Sequence, residues 1–157
     1  MSQVALAAWR FKSPGSAEIA SRTLRQLARE SLVVINDAAT VEWEAGAERP
    51  RTSQLQPITD AGALGDAFWG KLFGLLFFGS LLGTDNNALT RALIDVGIDD
   101  GFINRVRDEI TPGTSALFVM SSDAVVLKIQ DAFALQEVPE LILTNLQHRA
   151  GLGRIVF

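Results

Sequence analysis

A chain of 157 residues is expected to form a single domain, spanning 1–157. Hydrophobic residues make up 48% and charged residues 20%, which excludes global disorder. The net charge of −4 argues against a nucleic-acid surface, and the absence of cysteine excludes disulfides and thiolate metal sites. Met1 to Lys12 has no basic stretch leading into an apolar core and cleavage site, so the cytoplasm is the expected compartment.

Val4 to Phe11, VALAAWRF, is predicted to be a strand covered on both faces, because apolar side chains occupy both sides of the alternation. Ser13-Pro14-Gly15-Ser16 breaks it, with Ser16 as the expected N-cap of a helix from Ala17 to Glu30. The period predicts an inner stripe of Ile19, Thr23, Leu24, Leu27 and Ala28, with Arg22, Arg25 and Arg29 on a solvated face. Leu32 to Ala39, LVVINDAA, is a second predicted strand, and Thr40 to Glu44 either extends it or follows a bulge near Asn36-Asp37. Ala45 to Pro50 turns the chain, and Arg51 to Gln56 returns as a short edge strand with prolines on both sides. Leu32 to Gln56 thus reads as a hairpin.

Residues 57–97 follow a different pattern. Ala61 to Gly83, AGALGDAFWGKLFGLLFFGSLLG, is the most apolar run in the chain and reads as one helix, begun at Pro57 and Thr59-Asp60 and ended by Thr84-Asp85-Asn86-Asn87. Gly62, Asp66, Gly70 and Gly74 recur every four residues on one helical face, and Gly79 and Gly83 repeat the spacing. Each glycine costs a helix about 1 kcal/mol relative to alanine, so several together imply close approach of another backbone. Beside the stripe lie Phe68, Trp69, Leu72, Phe73, Leu75, Leu76, Phe77 and Phe78, with Leu82 further on. Ala88 to Val96 supplies a shorter second arm, which makes 57–97 an inserted glycine-rich helical hairpin. At 1.5 Å per residue that arm covers about 14 Å of a helix about 35 Å long, so aromatic side chains remain for a partner. A bilayer span needs about 20 mostly apolar residues. Lys71 interrupts the run from Ala67 to Gly83, and a single span would divide the flanking strands between two sides of a membrane.

Asp99-Asp100 precedes a helix from Gly101 to Ile110, with Phe102, Ile103, Val106 and Ile110 predicted to face inward. After the turn Thr111-Pro112-Gly113-Thr114, Ser115 to Ser121, SALFVMS, is the predicted central strand. Ser122-Asp123 caps a helix from Ala124 to Gln136, whose expected inner face is Val125, Val126, Ile129, Ala132 and Phe133. Glu137-Val138-Pro139 breaks it, and Glu140 to Leu146 is the last predicted strand. Gln147 to Phe157 is open between a short added strand and a segment docked on a neighbour. Without the insertion, two β-α-β crossovers surround a hairpin. That order predicts an α+β fold, a ferredoxin-like sandwich with helices on one face of the sheet and the other face open or shared with a subunit.

Three blocks, GALGDAFWGKLFGLLFF, VGIDDGFINRV and PGTSALFVMSSDAV, occur in that order and resemble the successive blocks of a bacterial family, domain-of-unknown-function family 1269. The resemblance runs from about Val4 to Leu146. It implies a glycine-rich helical hairpin of the kind that has its members labelled predicted membrane proteins, and it implies no chemistry. Asp66 stands where that family tends to have a small residue, and Lys71 where it tends to have an apolar one.

No motif for catalysis is present. His148 is the only histidine and reads as an ordinary surface residue without a Ser or Cys partner motif. Asp95, Asp99 and Asp100 match no calcium-loop spacing and read as a capping, solvated cluster. The glycines lie inside an apolar helix rather than in a phosphate-cradling loop, and Trp9, Trp43 and Trp69 suit a core or interface. The expectation is a non-enzymatic structural protein, without cofactor or metal, whose partner is itself. It would associate through the hairpin, at Gly62, Asp66, Phe68, Trp69, Gly70, Phe73, Gly74, Phe77, Phe78 and Leu82, and through a sheet face. Alternatives are a peripheral protein whose hairpin lies at the lipid interface, and a small-ligand-binding regulatory domain.

Overall fold

An apolar run with no polar alternation has to be covered on both sides, and the run SALFVMSS is placed accordingly. In the computed structural model, which describes residues 4–35, 37–55, 69, 72–74, 76–77, 98, 100–133 and 139–145, this run is β4 (Ser115–Ser122). It is the middle strand of a five-stranded sheet. The others are β1 (Val4–Phe11), β2 (Asp37–Glu42), β3 (Arg51–Gln54) and β5 (Glu140–Asn145), in the order β3-β2-β4-β1-β5. Every neighbouring pair is antiparallel. β1 pairs with β4 from Val4↔Ser122 to Phe11↔Ser115, and with β5 from Ala5↔Asn145 to Arg10↔Glu140. β2 pairs with β4 from Asp37↔Met120 to Glu42↔Ser115, and with β3 from Ala39↔Gln54 to Glu42↔Arg51. The fold is α+β, with helices α1 (Ser16–Arg29), α2 (Asp100–Glu109) and α3 (Asp123–Phe133) between the strands.

The period-2 alternation sorts the strand side chains into two cores. On one face, Ala5, Ala7, Trp9, Leu117 and Val119 pack with Ala17, Ala20 and Leu24 of α1 and with Val126, Ile129 and Phe133 of α3. The Trp9 ring meets Phe133 edge to face at 5.1 Å, and its indole N–H donates to the Gln130 carboxamide. On the other face, Leu6, Ala8, Phe118, Met120 and Ile142 pack with Phe102, Ile103 and Val106 of α2, with Ile110, and with the helical residues Trp69, Leu72, Phe73 and Leu76. Helices therefore cover the sheet on both faces. The expectation of an open second face is corrected: a strand as apolar as β4 leaves no side that water could wet at low cost.

β1, β4, β5 and α2 follow the predicted spans to within one or two residues, and all four residues assigned to the inner face of Gly101 to Ile110 are buried. Four differences have local causes. The second strand begins at Asp37, not Leu32: Val33 and Ile35 are buried but Leu32 and Val34 stand in solvent, and Ser121 Oγ ties the segment down through the Val34 carbonyl at 2.6 Å. α1 has turned relative to its predicted stripe, burying Ala17, Ala20 and Ser21 with Leu24 and leaving Ile19 52% exposed. Small residues there let the helix approach the sheet more closely than Ile19 would. Ser16 is the first helical residue and Gly15 takes the cap position without a side-chain cap. The Ala17 N–H is instead received by Ser115 Oγ of β4, at 2.9 Å. Finally, Arg25 is half-buried on α1 rather than solvated like Arg22 and Arg29. At its C-terminus α1 closes with Leu32 N–H to Leu27 O and Ser31 N–H to Ala28 O, around Ser31 at φ 58°. This is the left-handed closing residue that glycine usually supplies.

Candidate functional site

At about 100° per residue, Trp69, Leu72, Phe73 and Leu76 fall within an arc of about 100° on a helix. That arc faces the sheet. The four residues are 0–6% exposed. The glycine-rich segment thus supplies one of the protein's own layers, and Trp69 and Phe73 are core residues of this chain. Their rings stack 5.5 Å apart, and Phe118 at the centre of β4 meets both edge to face, at 6.3 Å and 5.2 Å. The aromatic series continues outward from Phe73 to Phe77 at 6.1 Å and from Phe77 to Trp43 at 5.9 Å. Phe77 and Trp43 are only partly buried, so the series runs from the middle of the sheet to the surface. Trp43 is held there from both ends. Its indole donates to the Ala47 carbonyl at 3.0 Å, its N–H to Thr114 O at 3.0 Å, and its carbonyl accepts from Gly113 N–H at 2.7 Å. Gly113 sits at φ +91°, which makes glycine necessary in the turn that reaches Trp43.

Gly74 is helical and buried. It lies about 140° around the helix from Trp69, on the flank turned away from the sheet-facing arc. The remaining predicted interface residues, Gly62, Asp66, Phe68, Gly70, Phe78 and Leu82, lie outside the described residues. So do Lys71, the second arm from Ala88 to Val96, Asp95, Asp99, His148 and the segment from Gln147 to Phe157.

The structure assembles one charged group that the sequence reading missed, because its members come from three elements far apart in the chain. Arg10 of β1 stands opposite Glu140 of β5 in the strand register, and its Nε donates to the Glu109 carbonyl at 2.8 Å, capping the C-terminal end of α2. The Glu109 side chain hydrogen-bonds Glu140. That bond, slight burial and the Glu140 charge raise its pKa above the usual carboxylate range, against the opposing pull of Arg10 and Arg105. The group clasps α2 to the edge strand. A second unforeseen feature is Asp37, fully buried at the start of β2 with Oδ1 accepting from Ala38 N–H at 3.0 Å. Among the described residues, no group of three or more His, Cys, Asp or Glu could hold a metal ion, and no helix is long and apolar enough to cross a membrane.

Residues 63–151 match a family described as a protein of unknown function, DUF1269. The match takes in Trp69, Phe73, Phe77, α2, β4, α3 and β5, and β1 to β3 precede it. No curated protein and no solved structure matches. With more than half its length matched, and with the matched part providing both the central strand and the aromatic layer over it, the chain belongs to the DUF1269 family.

Proposed function

We propose that this protein is a non-enzymatic, self-associating structural protein, with a ferredoxin-like body into which residues 57–97 are inserted as a glycine-rich helical hairpin. The body is supported by the strand order β2-β4-β1-β5 with two interleaved crossovers through α1 and α3, to which β3 adds an outer strand. The insertion is supported by the helical residues Trp69, Leu72, Phe73 and Leu76, which come between β3 and α2 in the chain and lie on the sheet face that a simple sandwich leaves bare. Both sheet faces are occupied from within the chain, so association falls to the hairpin's outer surface and to the sheet edges.

The observation that carries the reading is the aromatic series ending at Phe77 and Trp43. A core that needs only Trp69, Phe73 and Phe118 nevertheless extends two further rings to the surface, where they remain partly exposed. Partly exposed aromatics of this kind are the residues that anchor interfaces. Size exclusion with light scattering in detergent-free buffer tests it: the wild-type chain should run as an oligomer, and Phe77→Ser should weaken the assembly. A wild-type monomer that floats with lipid vesicles would favour the lipid-interface alternative instead.

A further inference from the structure

We propose that one flank of α1, at Arg22, Arg25 and Arg29, binds a phosphate-bearing anion centred on Arg25, a reading independent of self-association. At about 100° per residue, with Leu24 taken as the point facing the sheet, Arg25, Arg29 and Arg22 lie about 100°, 140° and 160° round the helix on the same side. Leu27, which packs into the core shared with α3, lies about 60° round on the other side. The three guanidinium groups therefore share a single flank, over about 10 Å of helix at 1.5 Å per residue.

The described residues do not balance that charge. Arg25 is half-buried, and its Nε is shielded from water without a hydrogen-bond partner. Glu18 stands on the same flank one turn before Arg22, at a long 3.9 Å from it. An exposed pair of that kind contributes little, so Arg22 stays available. Glu30 accepts from Gln26 Nε2 at 2.5 Å. A guanidinium drawn partly out of water normally finds an acceptor, and like charges a turn apart on a helix repel. Arg25 has such a neighbour on either side, Arg22 three residues before it and Arg29 four residues after it. An anion at Arg25 supplies the missing acceptor and turns both repulsions into attractions. Arg29 lies in the last turn, where it also offsets the negative end of the helix, so the anion is centred at Arg25 and not beyond it. The class of anion follows from the donors. A guanidinium presents parallel N–H groups that match a phosphate bidentately, and more than one guanidinium favours a multiply charged group over chloride or a single carboxylate.

The test is isothermal titration of the full chain with inorganic phosphate and with pyrophosphate at fixed ionic strength, beside flotation with vesicles of phosphatidylserine in phosphatidylcholine. The wild type should bind a free anion saturably, and Arg25→Gln should weaken that binding about tenfold or more. Arg49→Gln, at an exposed arginine between β2 and β3, should leave it unchanged. Vesicle binding that Arg25→Gln removes, with neither free anion bound, would assign the flank to a lipid phosphate. If Arg25→Gln fails to fold, Arg22→Gln combined with Arg29→Gln, at two exposed positions, reads the same loss. Binding of any of these probes that is as tight in the variants as in the wild type overturns the inference. So does the absence of binding to phosphate, pyrophosphate and vesicles alike.

Discussion

The hydroxyl of Ser115 serves two backbone groups at once. It accepts from Ala17 N–H at 2.9 Å and donates to Ser13 O at 2.7 Å, and the residue is wholly buried. Ser115→Ala leaves both groups without that partner, in a place water does not reach. We expect a loss of about 1–3 kcal/mol in stability, against a smaller loss for Ser16→Ala, whose hydroxyl makes an exposed contact with Ser13. Chemical denaturation of the two variants checks the order. No local pattern could have revealed this, since Ser115 lies 98 residues from the helix it caps. The Glu109–Glu140 contact has a pH signature. The folded chain raises Glu109 above its ordinary value, chiefly through its hydrogen bond to Glu140, so the contribution of protonated Glu109 to stability is fully present below the range where the unfolded residue titrates. That contribution fades as pH rises through the folded value. The melting temperature of the wild type relative to Glu109→Gln should therefore rise as pH falls from about 7 to about 4. A difference independent of pH would mean that folding does not raise Glu109.

At the scale of elements, the residues that face the sheet from α2 were all legible, because their 3.6-residue period is interrupted by charged positions that mark the outer face. The inner stripe of α1 was not. Alanine, serine and threonine carry little hydrophobic signal, so the packing of Ala17 and Ala20 had to be decided by the sheet they meet. The glycine-rich segment was legible as an apolar helix, but its direction was not, since aromatics surround it. The structure separates its residues. Phe73 is 5% exposed and touches Phe118, while Phe77 is only partly buried. Phe73→Ser should destabilise the fold by about 3–5 kcal/mol, as large-to-small changes in a core do, and Phe77→Ser should cost much less. Thermal melts distinguish them. Equal losses at the two positions would mean that Phe77 is as much a core residue as Phe73.

For the whole molecule, helices on both sides of the sheet change where a partner can bind. The expected open sheet face is filled by residues of the same chain, with Trp69, Leu72, Phe73 and Leu76 on one side and α1 and α3 on the other. What remains among the described residues is the outer end of the aromatic series, at Phe77 and Trp43. Self-association through such surfaces depends on concentration by mass action. The most direct measurement is sedimentation velocity of the wild-type chain across the micromolar range in detergent-free buffer. We predict a species of at least twice the 17.0 kDa chain mass that gives way to monomer on dilution. A single 17.0 kDa species at every concentration would contradict the account.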